Sequence, residues 1–115
     1  MARIIKRGDI WIVDLNPGSY REIHKKRPSL IISDNVVNDE THHAVIIPVS
    51  SQVPKTLGID KIPIGKKYGV AKPSVLLPIM IRSIDQDRLI RKTGSVSEET
   101  LIHVDEVLKL ILAIS

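Results

Sequence analysis

The sequence predicts a mostly β fold with one C-terminal helix, a small barrel or strongly bent sheet on which that helix packs. Three observations predict it. Short runs rich in Ile, Val and Leu recur between turn residues at even intervals, as strands do. Only the last segment changes period, to a single apolar stripe at helical spacing. The length, 115 residues at 43% hydrophobic and 26% charged, is that of one ordinary globular domain, expected to span residues 1–115.

The first strand is Ile10-Trp11-Ile12-Val13-Asp14-Leu15, entered through Arg7-Gly8-Asp9 and ended by Asn16-Pro17-Gly18. Its alternation places Trp11 in the core. Ser19 to Lys26 is polar and basic without apolar period and is expected to be a loop. Pro28 to Ser33 is a second strand. Asp34 to Asp39 can hold one helical turn capped by Asp34. Ala44 to Val49 is a third strand whose Pro48 has no N–H for a ladder, so this end is expected at an edge or a bulge. A loop over Ser50 to Gly58, a short strand over Ile59 to Ile64 and a basic loop over Gly65 to Pro73 follow. Ser74 to Leu77 and Ile79 to Ile84 are expected to form one long strand region bent at Pro78. A turn at Ile84 to Arg88 leads into a last strand, Leu89 to Val96. Beyond it Leu101, Val104, Leu108 and Ile111 make one stripe, with Leu112 beside them. Ser95 and Glu98 have capping-box spacing, Ser97 is an alternative cap, and Glu98-Glu99 suits a helix start. His103, Asp105, Glu106 and Lys109 fall on the polar face.

Composition removes several chemistries. There is no cysteine, hence no disulfide, thiolate nucleophile or Cys-ligated metal. His42 and His43 are adjacent with no clear third ligand, so neither a metal nor another cofactor is expected. No apolar run approaches the roughly 18 residues of a membrane span. The opening Met1 to Arg7 lacks the apolar stretch of a signal peptide, and a cytoplasmic location is expected. Seventeen Lys+Arg against thirteen Asp+Glu give a formal charge of +4, which suits a polyanionic partner. Phosphate-binding loops, dinucleotide fingerprints and nucleophile elbows are all missing.

Three segments are candidates for chemistry. Tyr20-Arg21-Glu22-Ile23-His24-Lys25-Lys26-Arg27-Pro28 gathers five basic or titratable cationic side chains, one carboxylate and one aromatic between two strands. Pro28 biases Arg27 towards extended backbone, so its planar guanidinium is held where it can fork onto a phosphate. The segment also fits a solvated charged loop. Ser50-Ser51-Gln52 follow a strand directly and offer two hydroxyls and an amide, suited to a phosphate or a ribose and equally to a simple turn. Gly65-Lys66-Lys67-Tyr68-Gly69 sets an aromatic beside two cations, which resembles a stacking platform for single-stranded nucleic acid or a lysine-rich surface turn.

In this order the pieces resemble the MazF/PemK family of toxin endoribonucleases. The likeness lies in Arg7-Gly8-Asp9-Ile10-Trp11-Ile12-Val13-Asp14-Leu15-Asn16-Pro17, in Arg27-Pro28, and in Val45-Ile46-Ile47-Pro48-Val49-Ser50-Ser51-Gln52. It continues through Ile81-Arg82-Ser83-Ile84-Asp85 and Gly94 to Leu101, nearly the whole chain. The resemblance implies a small SH3-like barrel of the MazF/PemK/CcdB type acting as a homodimer. It implies metal-independent, sequence-selective cleavage of single-stranded RNA, and a cognate antitoxin with an acidic disordered tail. The family's catalytic arginine falls on Arg27 and its catalytic threonine on Ser50, which keeps the hydroxyl and loses the methyl. Glu22 falls where the family carries a loop glutamate and is the candidate base; His24 is a second candidate acid or base. Tyr20, Arg21, Lys25, Lys26, Ser51, Gln52, Lys66, Lys67, Tyr68 and Arg82 form the expected RNA-binding set. One departure stands out: where relatives show an acidic residue and glutamine, this chain has Ile79-Met80. That substitution brings in a catalytically impaired RNA-binding relative as an alternative. A non-catalytic barrel toxin that binds a protein such as DNA gyrase is another, although Leu110 to Ser115 lacks the aromatic tip expected of one.

Overall fold

A computed structural model describes residues 3–16 and 25–115. Strands β1 (Asp9–Asp14), β2 (Lys26–Ile31), β3 (His43–Ser50), β4 (Ile62–Gly65), β5 (Ser74–Leu76), β6 (Arg82–Asp85) and β7 (Leu89–Ser95) form one bent sheet. Its order is β4-β5-β3-β2-β1-β7, with β6 also paired to β3, and the pairings are antiparallel. Helices α1 (Asn35–Glu40) and α2 (Glu98–Leu112) complete the half-barrel.

Alternation sorts the side chains into two cores. Ile10, Leu30, Ile47 and Val49 point to the face that α2 covers with Val104, Val107 and Leu108. Trp11, Val13, Ile31 and Ile46 point to the other face, closed by Ile5, Ile84 and Leu89. With no Phe and a single Trp in the chain, both cores rest on branched aliphatic packing. Between the two capping options at α2 the fold uses Ser97, whose side chain accepts the Thr100 N–H at 3.1 Å. Asp34 caps α1 by accepting the Val36 N–H at 2.9 Å. Asp105, on the polar face of α2, pairs with Arg7 at 2.6 Å and ties the helix to the sheet.

Two proline expectations are corrected. Pro48 is fully buried in a central strand, not at an edge or a bulge. The reason is a change of partner: β3 pairs β6 through His43–Ile46 and β5 through Val49–Ser50, and Pro48 sits where one partner ends and the next begins. Its carbonyl takes the Leu77 N–H at 3.0 Å, so its missing N–H also faces that junction and leaves no neighbour unsatisfied. Nor is Ser74 to Ile84 one bent strand. Pro78 opens a 3-10 turn, Pro78–Met80, that separates β5 from β6, because a proline nitrogen suits the first position of a helical turn and not a ladder. The short strand expected over Ile59 to Ile64 begins later, at Ile62.

Candidate active site

The placement of the expected catalytic pair, Arg27 and Ser50, is set by strand register. β2 and β3 pair through Ile31↔Ile46, Leu30↔Ile47 and Ser29↔Pro48. Two residues further out on each strand stand Arg27 and Ser50, on the same face of the sheet as Ser29 and Pro48. Twenty-three positions apart in the chain, they stand at the same sheet end. On the other side of β2, Arg27 pairs with Val13 of β1, which fixes its backbone from that side.

The pairing stops at Ser29↔Pro48 because the next residue of β2 is Pro28, which has no N–H to offer β3. Past this point the strands diverge, and a cavity of about 300 Å³ opens between them. Pro28, Val49, Val70 and Ala71 give it an apolar floor; Lys25, Lys26, Arg27 and Lys72 surround it with cations, and Ser51 and Ser74 add hydroxyls. Ser74 donates its own hydrogen to the Lys72 carbonyl at 2.7 Å, leaving its oxygen to accept. An apolar floor under a cationic rim fits a base attached to a phosphodiester.

Ser50 and Ser51 divide their work. Ser50 is only 6% exposed, and its hydroxyl oxygen accepts the Gln52 N–H at 3.1 Å, which shapes the turn leaving β3. A hydroxyl that accepts keeps its hydrogen for a further bond. Ser51 and Gln52 are exposed, and Ser51 lines the cavity.

The rest of the expected RNA-binding set is spread more widely. Arg82 pairs with Ile46 across β3 and β6, on the Arg27 face but about 13 Å along the strand from Ser50, at ~3.3 Å per residue. Lys66 and Lys67 are exposed. Tyr68 is half-buried, not an open platform: its hydroxyl lies 3.3 Å from the Ser97 Oγ and 3.1 Å from the Thr100 Oγ1 at the start of α2. Its hydrogen bond with Ser97, then that with Thr100, lowers its pKa below the ordinary tyrosine value of 10.0. Tyr20, Arg21, Glu22 and His24 lie outside the described residues. Lys72 and Ser74, which wall the cavity, were not singled out from sequence. The signal for Lys72 is the basic Gly65 to Pro73 loop, of which the expected set holds only Lys66, Lys67 and Tyr68.

Among the described residues no three His, Asp or Glu side chains gather as a metal site, and no helix is long and apolar enough to cross a membrane. Residues 6–112 match the family described as PemK-like, MazF-like toxin of type II toxin–antitoxin system. The chain is 34% identical over 112 residues to endoribonuclease EndoA of Bacillus subtilis, covering 96% of this chain and 97% of that protein. The fold superposes on MazF from Deinococcus radiodurans with a TM-score of 0.86 at 22% identity, covering 98% of this chain and 100% of the other. It also superposes on a mycobacterial endoribonuclease in complex with its cognate antitoxin, TM-score 0.77 at 19% identity, covering 99% and 98%. This chain belongs to the PemK-like, MazF-like toxins of type II toxin–antitoxin systems.

Proposed function

We propose that this toxin is a metal-independent endoribonuclease that cuts single-stranded RNA at selected sequences in the cytoplasm. The observation that carries the reading is the register that brings Arg27 and Ser50 to one face at a sheet end where Arg27 also borders a cationic cavity. The ribose 2′-oxygen attacks its own phosphorus and gives up its proton to a base. The bond from phosphorus to the 5′-oxygen breaks, and that oxygen takes up a proton. The products are a 2′,3′-cyclic phosphate and a 5′-OH.

Arg27 is too basic to act as the base near neutrality, so its part is to bind the charge that builds on the phosphorane oxygens. Ser50 donates its remaining hydrogen to a phosphate oxygen while it holds the Gln52 turn. Glu22 takes the 2′-OH proton, with His24 as the acid towards the 5′-oxygen. Lys25, Lys26, Lys72 and Ser51 hold the adjoining nucleotide in the cavity. The active form is a homodimer, and a cognate antitoxin with an acidic disordered tail neutralises it by competing for the same cationic surface.

End-labelled RNA incubated in excess EDTA tests this. Cleavage to 5′-OH ends is expected, with a loss of about a hundredfold or more in Arg27→Ala. A substrate with deoxyribose at the scissile position should stay intact, since the nucleophile is gone, and continued cutting of it refutes the 2′-OH mechanism. RNA that binds but is never cut by the wild-type protein points instead to the impaired relative.

A further inference from the structure

Arg27 is the second residue of β2, which begins directly after a backbone conformation that does not hold itself. Lys25 has φ 75°, a left-handed conformation that side chains other than glycine rarely adopt, at a cost of roughly 1 kcal/mol or more. Such a residue persists where its surroundings impose it. Here the Lys25 N–H donates to the Asn16 Oδ1 at 2.9 Å, and the Lys25 carbonyl accepts the Leu15 N–H at 2.9 Å. Asn16 is therefore the group that fixes the turn, and Asn16 is itself exposed and beyond the end of β1.

What holds Asn16 comes from the far side of the sheet. The Arg88 guanidinium donates to the Asp14 carbonyl at 3.0 Å and to the Asn16 carbonyl. Arg88 stands on the 3-10 turn Gln86–Arg88, and that turn is firmly anchored. The Gln86 N–H donates to the His42 carbonyl at 2.8 Å, and its side-chain amide donates to the carbonyls of Asn38 at 2.8 Å and His43 at 2.9 Å. Asp85 closes the turn by accepting the Asp87 N–H at 2.8 Å. An unbroken set of hydrogen bonds thus runs from the α1–β3 connection through Arg88 and Asn16 to Lys25, two residues before Arg27.

We propose that Arg88 is a positioning residue for Arg27, acting through Asn16 and the left-handed turn at Lys25. The effect on catalysis rests on the ribonuclease reading; the effect on the turn does not. Arg88 touches no substrate. It holds two carbonyls so that Arg27 enters β2 in register with Val13 and faces the scissile phosphate. Misplacing such a group by about 1 Å costs up to a hundredfold in rate.

Arg88→Ala, Asn16→Ala and Asn16→Asp test this, each first compared with wild type by thermal unfolding. Single-turnover cleavage is measured beside affinity for RNA carrying deoxyribose at the scissile position. In Arg88→Ala and Asn16→Ala cleavage should fall by about tenfold or more, with affinity within about twofold of wild type. Asn16→Asp keeps an acceptor for the Lys25 N–H and should cut at the wild-type rate. The double alanine variant should lose no more than either single one, because both break the same chain. Amide exchange at Lys25 should speed up in Arg88→Ala. A folded Arg88→Ala protein that cuts at the wild-type rate overturns the proposal, as do losses that add in the double variant. If wild-type protein cuts no RNA, the ribonuclease reading falls alone; faster Lys25 exchange still supports the positioning and unchanged exchange refutes it. Should Arg88→Ala fail to fold, Asn16→Ala against Asn16→Asp decides by the same readouts.

Discussion

Gly94→Ala isolates the packing that holds one wall of the cavity in place. Gly94 is in β7, and its φ is outside the left-handed region, so alanine meets no backbone strain there. What it meets is the neighbouring chain: an added Cβ would lie 2.3 Å from the Tyr68 carbonyl oxygen and 2.7 Å from its carbon. Neither atom is the end of a flexible side chain. Restoring an ordinary contact of about 3.4 Å requires the Tyr68–Gly69 backbone to move by about 1 Å. Gly69 cannot absorb the movement towards β7, since it packs against the Thr93 carbonyl with the same lack of room. The loop must lift, which strains the Tyr68 hydroxyl contacts to Ser97 and Thr100 and shifts Val70, Ala71 and Lys72 at the cavity. Overpacking of this kind costs about 2 kcal/mol, and in a domain of this size Tm should fall by about 8 °C. Gly65→Ala is the matched control. Its φ is +60° with nothing within 4 Å of the added Cβ, so only the conformational penalty of roughly 1 kcal/mol applies. Thermal denaturation of both variants by circular dichroism measures the difference. A Gly94→Ala protein within about 0.5 kcal/mol of wild type, or less destabilised than Gly65→Ala, would show the close approach to be soft and refute this reasoning.

Ser97→Ala removes the α2 cap and should cost about 1 kcal/mol by chemical denaturation, while Ser97→Asp, which can still accept the Thr100 N–H, should recover most of it. The Tyr68 phenol is lowered in the folded state from 10.0 by the hydrogen bonds of Ser97 and Thr100. A depressed acid stabilises the fold above its unfolded pKa, and that contribution is lost as pH falls through the folded value. Ultraviolet titration should therefore show one tyrosine ionising below pH 10.0, and Ser97→Ala should return it towards that value; an unmoved titration would refute the assignment. Ser51→Ala removes a cavity hydroxyl without touching the Gln52 turn, so it should weaken RNA binding by about fivefold and leave single-turnover cleavage at saturation unchanged. Ser50→Ala should do the reverse, slowing cleavage at saturation, and equal effects of the two would remove the division between them.

The strand pattern was legible because period-2 alternation over Ile, Val and Leu is a local property, as is the apolar stripe of α2. Proline roles were not. Pro48 carries the same local signal wherever it sits, and only the change of partner from β6 to β5 makes a central proline harmless. Arg27 and Ser50 are picked out by a resemblance; their placement on one face at one sheet end is a consequence of register, which no single segment states. Tyr68 shows the limit most clearly. An aromatic between two glycines and two lysines looks exposed in sequence, yet its hydroxyl joins the cap of a helix that begins thirty residues later. The sequence puts Ser50 at the start of a loop; in the fold it is the last residue of β3, and its burial goes with the pairing of β5 across it at Val75, twenty-five residues away.

The cavity sits where it does for a reason that links backbone chemistry to charge. A sheet end with intact ladders is flat and filled by its neighbours' side chains. Here β2 reaches Pro28 and β3 has just passed Pro48, so the pairing ends while both strands continue. Beside Arg27 the cavity is lined by the hydroxyls of Ser51 and Ser74, and Lys25, Lys26 and Lys72 supply cations around an apolar floor. In the proposed reaction phosphate binding depends on the cations, whereas cleavage depends on the placement of one guanidinium to within about 1 Å. The two demands are met by different parts of the molecule. Exposed lysines on loops supply attraction, which tolerates movement. The rigid register of β1, β2 and β3 supplies placement, which does not, and that is why Arg27 is inside a strand and the lysines around it are largely outside one.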